Sequence, residues 1–433
     1  MTRTIAEHQL LLLDILSPIR EVPQSAIAQL DEHDWAQIMR MSEEHRVTPL
    51  LDWRLKHEKA HLMIPENVRL DCADSFKAAT KRSLAIQREL LLLHRLLKEG
   101  GFQHIFLKGA YLAYFAYPQP GLRPMRDVDI LIPEQEIIKA FNFLLDHGVD
   151  RIDKYQSIPH PSNVSLVHQL PPIYSPSKTT CLELHSSLFH IDERSQTPID
   201  PSKDQSFWDR SIQRNVGNET LNFQSPEDLL LHLIEHAVYG HKFNNGPLLL
   251  SDISYLLETH EMDWPKFWRL TEDVRCTRGA RLTLELFQRY YGKGAIGWPA
   301  GQIQNEAISE SVINSSAMLL LRDFRTSCET NIIITAKTRT DISSVFSFIK
   351  KRVFPSRPQL ALLYPISPTS PLIYFYYPLN WWRLLAERIP NFLRVTQKQN
   401  VSEDMRQLSI VNQWLNSQGT SSVVVAPVKP TNN

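Results

Sequence analysis

Arg126-Asp-Val-Asp-Ile-Leu-Ile132 is the stretch on which the reading of this chain turns. Its length and branched apolar residues suit a β-strand. Side chains alternate along a strand, so Asp127 and Asp129 share one face while Val128 and Ile130 face the other. Two carboxylates held side by side on a rigid element are what hard divalent cations require. An exposed strand would put charges on its solvent side just as readily, so this spacing needs support from elsewhere in the chain.

That support lies on both sides. Upstream, Ile105-Phe-Leu107 reads as a short strand, Lys108-Gly109 as a turn, and Ala110 to Tyr117 as a helix. A strand, a tight turn and a helix start together aim backbone N–H groups and a helix dipole at one point, which favours phosphate. Lys108 and Arg126 flank this point and are placed to neutralise phosphate charge, the alternative being ordinary salt bridges. Downstream, Cys181-Leu-Glu-Leu-His185 puts residues 181, 183 and 185 on one strand face. Glu183 can therefore point at the same site as the aspartates, with His185 beside it as an acceptor contact or a structural hydrogen bond.

Around this centre the chain divides by pattern. Residues 1–100 read as helical, with Ile86, Leu90, Leu93 and Leu97 at helical spacing between residues 79 and 99 and a stop at Gly100-Gly101. Residues 101–224 mix strands and helices, including a helix from Glu136 to His147 and strands over Val164–Gln169 and Cys181–Ser186. Residues 225–350 turn helical again. Ser225-Pro-Glu-Asp228 reads as a capping box with proline in the first turn, ahead of a helix from Pro226 to Tyr239. Further helices fit 251–260, 264–274, 278–291 and 306–326. Residues 351–400 are rich in proline and aromatics, and 401–433 are expected to be a mostly disordered tail. There is no internal repeat.

Composition narrows the possibilities. The chain has 433 residues, enough for two or three cores, and 47 Lys plus Arg balance 47 Asp plus Glu. No global field draws in nucleic acid, so long nucleic acid is not the expected partner. The four cysteines lack CxxC spacing, which argues against a disulfide framework or a zinc ribbon. No leader pattern and no apolar run of membrane-spanning length is visible, so the expectation is a soluble cytoplasmic protein.

The motifs together resemble the family of uncharacterised nucleotidyltransferases, a branch of the DNA polymerase β superfamily. The resemblance covers roughly residues 1–385. Trp35 to Leu51 is similar to its N-terminal helical segment, Phe106-Leu-Lys-Gly-Ala110 to its LKG turn, and Arg126-Asp-Val-Asp-Ile130 to its RDxD strand. Leu182-Glu-Leu-His185 resembles its acid-x-His strand, and Ser225 through His236 with Leu250-Ser-Asp252 its C-terminal helices. The resemblance implies an α+β fold with a polymerase β palm-like core. It implies transfer of a nucleoside monophosphate from an NTP, with ATP the first choice, to an acceptor hydroxyl by a two-metal mechanism. Asp127 and Asp129 would hold Mg2+ or Mn2+, and Glu183 would orient or activate the acceptor, while Lys108, Gly109, Ala110 and Arg126 would hold the nucleotide. The acceptor is a small molecule, a sugar, a peptide or a protein side chain. Two departures stand out: Ala110 follows Gly109 where superfamily members usually carry serine, and Glu183 stands where aspartate is common. They leave room for a degenerate member that binds nucleotide or a partner without catalysis.

Two further features carry competing readings. His232-Leu-Ile-Glu-His236 spaces two histidines as an inverted zinc-protease motif does, so a zinc hydrolase is a weaker alternative. The favoured reading takes His232, Glu235 and His236 as a polar face beside an apolar stripe of Leu230, Ile234 and Ala237, with the histidines as acceptor-site candidates. The cluster Tyr374-Phe-Tyr-Tyr377 with Trp381-Trp382 reads as core packing of a terminal segment in preference to a partner or membrane patch.

Overall fold

The computed structural model describes residues 5–21, 23–57, 64–152, 164, 165, 167–189, 200–292, 296–298, 307–322, 350, 353–364, 366–388 and 401–417. In these residues β1 is Ile105–Phe106, β2 Asp127–Leu131, β3 Asp150–Arg151, β4 Ile173–Tyr174, β5 Cys181–His185, β6 Ile212–Val216 and β7 Glu219–Phe223. They form one mixed sheet in the order β3-β4-β5-β2-β1-β7-β6. β2 runs parallel to β5 and antiparallel to β1, and β1 runs parallel to β7. The fold is α+β, with helices from both ends of the chain joined to the sheet through one continuous apolar core that includes Leu11, Ile130, Leu230 and Val411.

The register of the central strands decides where the acids go. Asp127 stands beside Cys181, Asp129 beside Glu183, and Leu131 beside His185. Val128, Ile130, Leu182 and Leu184 are buried on the opposite face. Each such burial is worth about 1.5–3 kcal/mol, so slipping either strand by one residue would bury the carboxylates and expose the apolar set.

The long helix Glu66–Glu99 anchors the start of β2 and extends well upstream of the expected 79–99. Its Arg82 side chain donates to the carbonyls of Met125 and Arg126, at 3.2 and 3.3 Å. It stops where expected: Gly101 adopts φ 72°, and the Phe102 N–H reaches back to the Leu97 carbonyl.

Several expectations need correction. Val164–Gln169 is not a strand; Val164 and Ser165 form a helical turn, and Gln169 meets His185 through an isolated bridge. The neighbour of β5 is β4, because a turn closed by the Ser175 N–H on the Thr180 carbonyl folds Ile173–Tyr174 back onto it. Pro171 and Pro172, which lack N–H donors, separate the earlier residues from that ladder. The expected Ala110–Tyr117 helix is a short α-turn, Gly109–Tyr111, running into a π-turn, Leu112–Ala116.

Ser225 caps its helix by accepting from the Asp228 N–H, but the Asp228 carboxylate binds Arg210 and the Ser225 hydroxyl, so the reciprocal half of a capping box is missing. Helices 251–260, 264–274 and 278–291 correspond to Leu248–Thr259, Trp264–Asp273 and Thr277–Tyr291. The helix expected at 306–326 spans Glu310–Leu320, and 323–326 lie outside the described residues. Within the expected tail, Val401–Asn416 is a helix whose Leu408 and Val411 enter the main core, while 418–433 lie outside the described residues. The polar, valine-rich composition that suggested disorder begins only after this helix. No described helix is long and apolar enough to cross a membrane.

Candidate active site

A cavity of about 550 Å³ opens over the central strands. Asp127, Asp129, Glu183 and His185 all line it, as the shared faces of β2 and β5 require. His185 Nε2 lies 3.0 Å from Asp129 Oδ1 and 3.9 Å from Glu183 Oε2. Among the described residues, Asp129, Glu183 and His185 form the group able to share a metal ion, their ligand atoms all within 4.8 Å. Asp127 sits beside this group on the same face of β2 and is not a member of it.

The Lys108-Gly109 turn lies against the same carboxylates. Lys108 is nearly buried with φ 39°, a conformation costing a residue with a side chain about 1 kcal/mol or more. This turn brings its ammonium within 3.7 Å of Asp129 Oδ2. Asp129 is thus bracketed, with His185 on one oxygen and Lys108 on the other. Gly109 is required by close approach: a Cβ there would lie 2.3 Å from the Arg123 guanidinium.

Arg123 was not singled out from the sequence. Its Nε and a terminal nitrogen bind the two oxygens of Asp252 at 3.1 and 2.9 Å, and the Tyr117 hydroxyl donates to the same carboxylate at 2.8 Å. Asp252 belongs to the Leu250-Ser-Asp252 match already noted, which was the available signal. Arg123 itself sits in a proline-rich loop with no pattern to mark it.

Electrostatics separate the three acids. Burial, the Asp129 charge and their proximity raise the Asp127 carboxyl above its ordinary value, against the pull of Lys108, Arg123 and Arg126. Burial alone would also raise Asp129, but Lys108 and the His185 hydrogen bond outweigh it and hold that carboxyl well below the usual range. Glu183 is pushed up to about 7 by burial and then by the charges of Asp129 and Asp127. The Asp129 carboxylate accepts from His185 Nε2–H. His185 Nδ1 is buried with no hydrogen-bond partner among the described residues.

The opposite wall comes from outside the sheet. The π-turn His236–Gly240 that ends the capped helix, with His241, Asn244 and Asn245, closes the C-terminal side. Glu44, His45 and Arg46 close the other. His236 therefore lines the cavity, whereas His232 and Glu235 do not. The expected polar face of this helix is not solvated: every residue from Glu227 to Glu235 is buried. His232 Nδ1 lies 3.2 Å from Gln224 Oε1, and that oxygen accepts the Lys108 N–H at 3.5 Å, so His232 supports the turn from behind. Neither His232 nor His236 joins a metal-binding group among the described residues, so nothing in the geometry supports the zinc-hydrolase alternative. Arg126 is exposed at the rim, and Ala110 is buried beneath the turn.

The mixed sheet thus carries three acids on adjacent strands, with the Lys108-Gly109 turn against them. A family model described as uncharacterised nucleotidyltransferase matches residues 31–292, and the chain belongs to that family. No curated protein and no solved structure matches it.

Proposed function

We propose that the protein moves a nucleoside monophosphate from an NTP, ATP first among the choices, to an acceptor hydroxyl on a small molecule, sugar, peptide or protein. The carrying observation is the pairing of Asp129 with Glu183 across adjacent strands, with Asp127 on the same face, inside a cavity large enough for a nucleotide. Oxygen donors of this kind fit Mg2+ or Mn2+, and Asp127 and Asp129, with Glu183 alongside, would hold it. When bound, the ion would neutralise triphosphate charge and favour the ionised acceptor hydroxyl.

The chain's own residues would do the rest. The Gly109 N–H at the turn would face the triphosphate, with Lys108 and Arg126 as cationic partners, while the Ala110 N–H donates to the Leu107 carbonyl and closes the turn beneath it. Glu183, poised near neutrality, takes the acceptor's proton. The acceptor oxygen forms a bond to the α-phosphorus as the bond to the β-phosphate oxygen breaks, and pyrophosphate leaves. The helical wall carrying His236 excludes water and orients the acceptor.

The test is incubation of purified protein with α-labelled NTPs, Mg2+ and cell extract. Label is expected in a product that the Asp129→Asn variant does not form. Nucleotide binding without any transfer would favour the degenerate reading. That reading has its own support in Ala110 at the turn and in the internal partners already holding Asp129.

A further inference from the structure

Large exposed apolar side chains elsewhere are scattered singly: Leu10, Ile19, Leu70, Leu84, Leu92, Tyr174 and Met318. Between residues 354 and 385 they gather. Phe375 is 76% exposed, Trp382 69%, Leu385 62%, Leu372 59% and Tyr374 58%. Such a density on one segment is not the ordinary apolar fraction of a soluble surface.

The local structure arranges this deliberately. A 3-10 turn, Pro371–Phe375, leads into the helix Tyr376–Arg383. Ile373 and Asn380, two turns apart, point inward, and Ile373 packs in a small satellite core with Leu360, Ala361 and Tyr364. Phe375, Leu379 and Trp382, themselves at helical spacing, are exposed. The segment is therefore fixed on its inner side by its own small core, while its larger rings and leucines face solvent. Tyr377 and Trp381 are held by hydrogen bonds to the carbonyls of Pro355 and Val353, at 2.6 and 2.7 Å, which keeps this presentation rigid.

Charge identifies the partner. The whole chain is neutral, yet residues 350–388 contain Lys350, Lys351, Arg352, Arg357, Arg383 and Arg388 against Glu387 alone. Tryptophan, tyrosine and phenylalanine among leucines, on a stretch of sequence with this excess of cations, are the chemistry of the headgroup region of an anionic bilayer. No described helix is built to span one. We propose that this segment docks the protein on the surface of membranes containing anionic lipid, with Phe375, Leu379 and Trp382 entering the headgroup–acyl boundary and the basic residues meeting the headgroups. The proposal does not depend on the reaction assigned to the cavity.

The experiment is co-sedimentation of the full chain with phosphatidylcholine vesicles, with and without phosphatidylserine. Binding is expected to the phosphatidylserine vesicles, to weaken as salt rises, and to be accompanied by a blue shift of tryptophan emission. The double variant Phe375→Glu/Trp382→Glu should partition at least about tenfold less while keeping the far-UV spectrum and melting temperature. Because both side chains face solvent, a misfolded variant is not expected, and Arg383→Glu gives a second, milder test. Absence of binding, or equal binding by the double variant, overturns the proposal. So does a dimer in the ultracentrifuge that the double variant abolishes, which would make the patch a contact between copies.

Discussion

The two walls of the cavity are built on different principles. One is a pair of adjacent strands, β2 and β5, whose pleat alone aligns Asp127, Asp129 and Glu183. The other is made of turns: Arg46 at φ 57°, the π-turn at His236–Gly240, and the loop of His241 and Asn244, shaped by Lys242 and Phe243 at φ 53° and 62°. Strands place acids cheaply, because alternation is a property of the extended backbone. The facing wall reaches its shape through conformations that cost energy in residues with side chains, and such outliers concentrate where substrates meet the chain. The Arg123–Asp252 pair ties the two walls together.

The strand wall divides further, and this gives the largest expected effect. Asp129→Asn should lower transfer about a thousandfold, the equivalent of several kcal/mol of lost transition-state stabilisation. It should also destabilise the fold by about 2 kcal/mol, since Lys108 and His185 lose their charged partner. Asp127→Asn, which relieves a repulsion, should leave the melting temperature unchanged or raised. Equal melting of the two variants would show that the bracketing of Asp129 has no energetic weight.

The tie between the walls comes next. Asp252→Asn leaves the Arg123 guanidinium buried without its bidentate partner, and should cost about 3 kcal/mol in denaturant unfolding. A loss below about 1 kcal/mol would mean that packing alone joins the walls. For the helical wall, His236→Ala should reduce transfer to acceptor about tenfold while nucleotide binding changes less than about twofold. Equal losses in both would move His236 to the nucleotide side. Expectations for His232→Ala differ, because it sits behind the turn: it should weaken nucleotide binding together with transfer.

The smallest effect concerns protons. Glu183 is raised to about 7, so below that pH a proton competes with the cation. Mn2+ affinity, followed by electron paramagnetic resonance, should fall about fivefold from pH 7 to pH 6, and Glu183→Gln should flatten that dependence. The sign for stability follows from the same shift. The folded protein holds this proton more tightly than the unfolded chain, so the stabilisation is full below about 4.5 and is lost as pH rises through about 7. A pH-independent Mn2+ affinity would place Glu183 away from the cation.

Much of the strand wall was legible because its information is local. An i, i+2 spacing puts two side chains on one face whatever surrounds them, and the same holds for Glu183 and His185. The cap at Ser225 and the stop at Gly100-Gly101 are likewise short-range. The failures share a cause as well. Val164–Gln169 has strand composition, but its end meets β5 only in the isolated Gln169–His185 bridge, and the paired strand is formed by the residues folded back by the following turn. The aromatic segment looked like core by composition. Which of its faces is covered depends on neighbours: Ile373 and Asn380 are buried and Tyr376 and Tyr377 half-buried, while Tyr374, Phe375 and Trp382 are exposed.

By itself the sequence determined which residues must share a face, and where some helices begin or end, as at Ser225 and Gly100-Gly101, because these follow from backbone periods of 2.0 and 3.6 and from local caps. Only the tertiary structure decided that β5 lies beside β2 across more than fifty residues of chain, and that His185 and Lys108 bracket Asp129. It alone brought Arg123 from a loop to Asp252 on a distant helix, and turned His236 into the cavity while burying His232 behind it. Each of those depends on which surfaces meet, and that is settled by the joint burial of apolar faces over the whole chain, a quantity no local window contains.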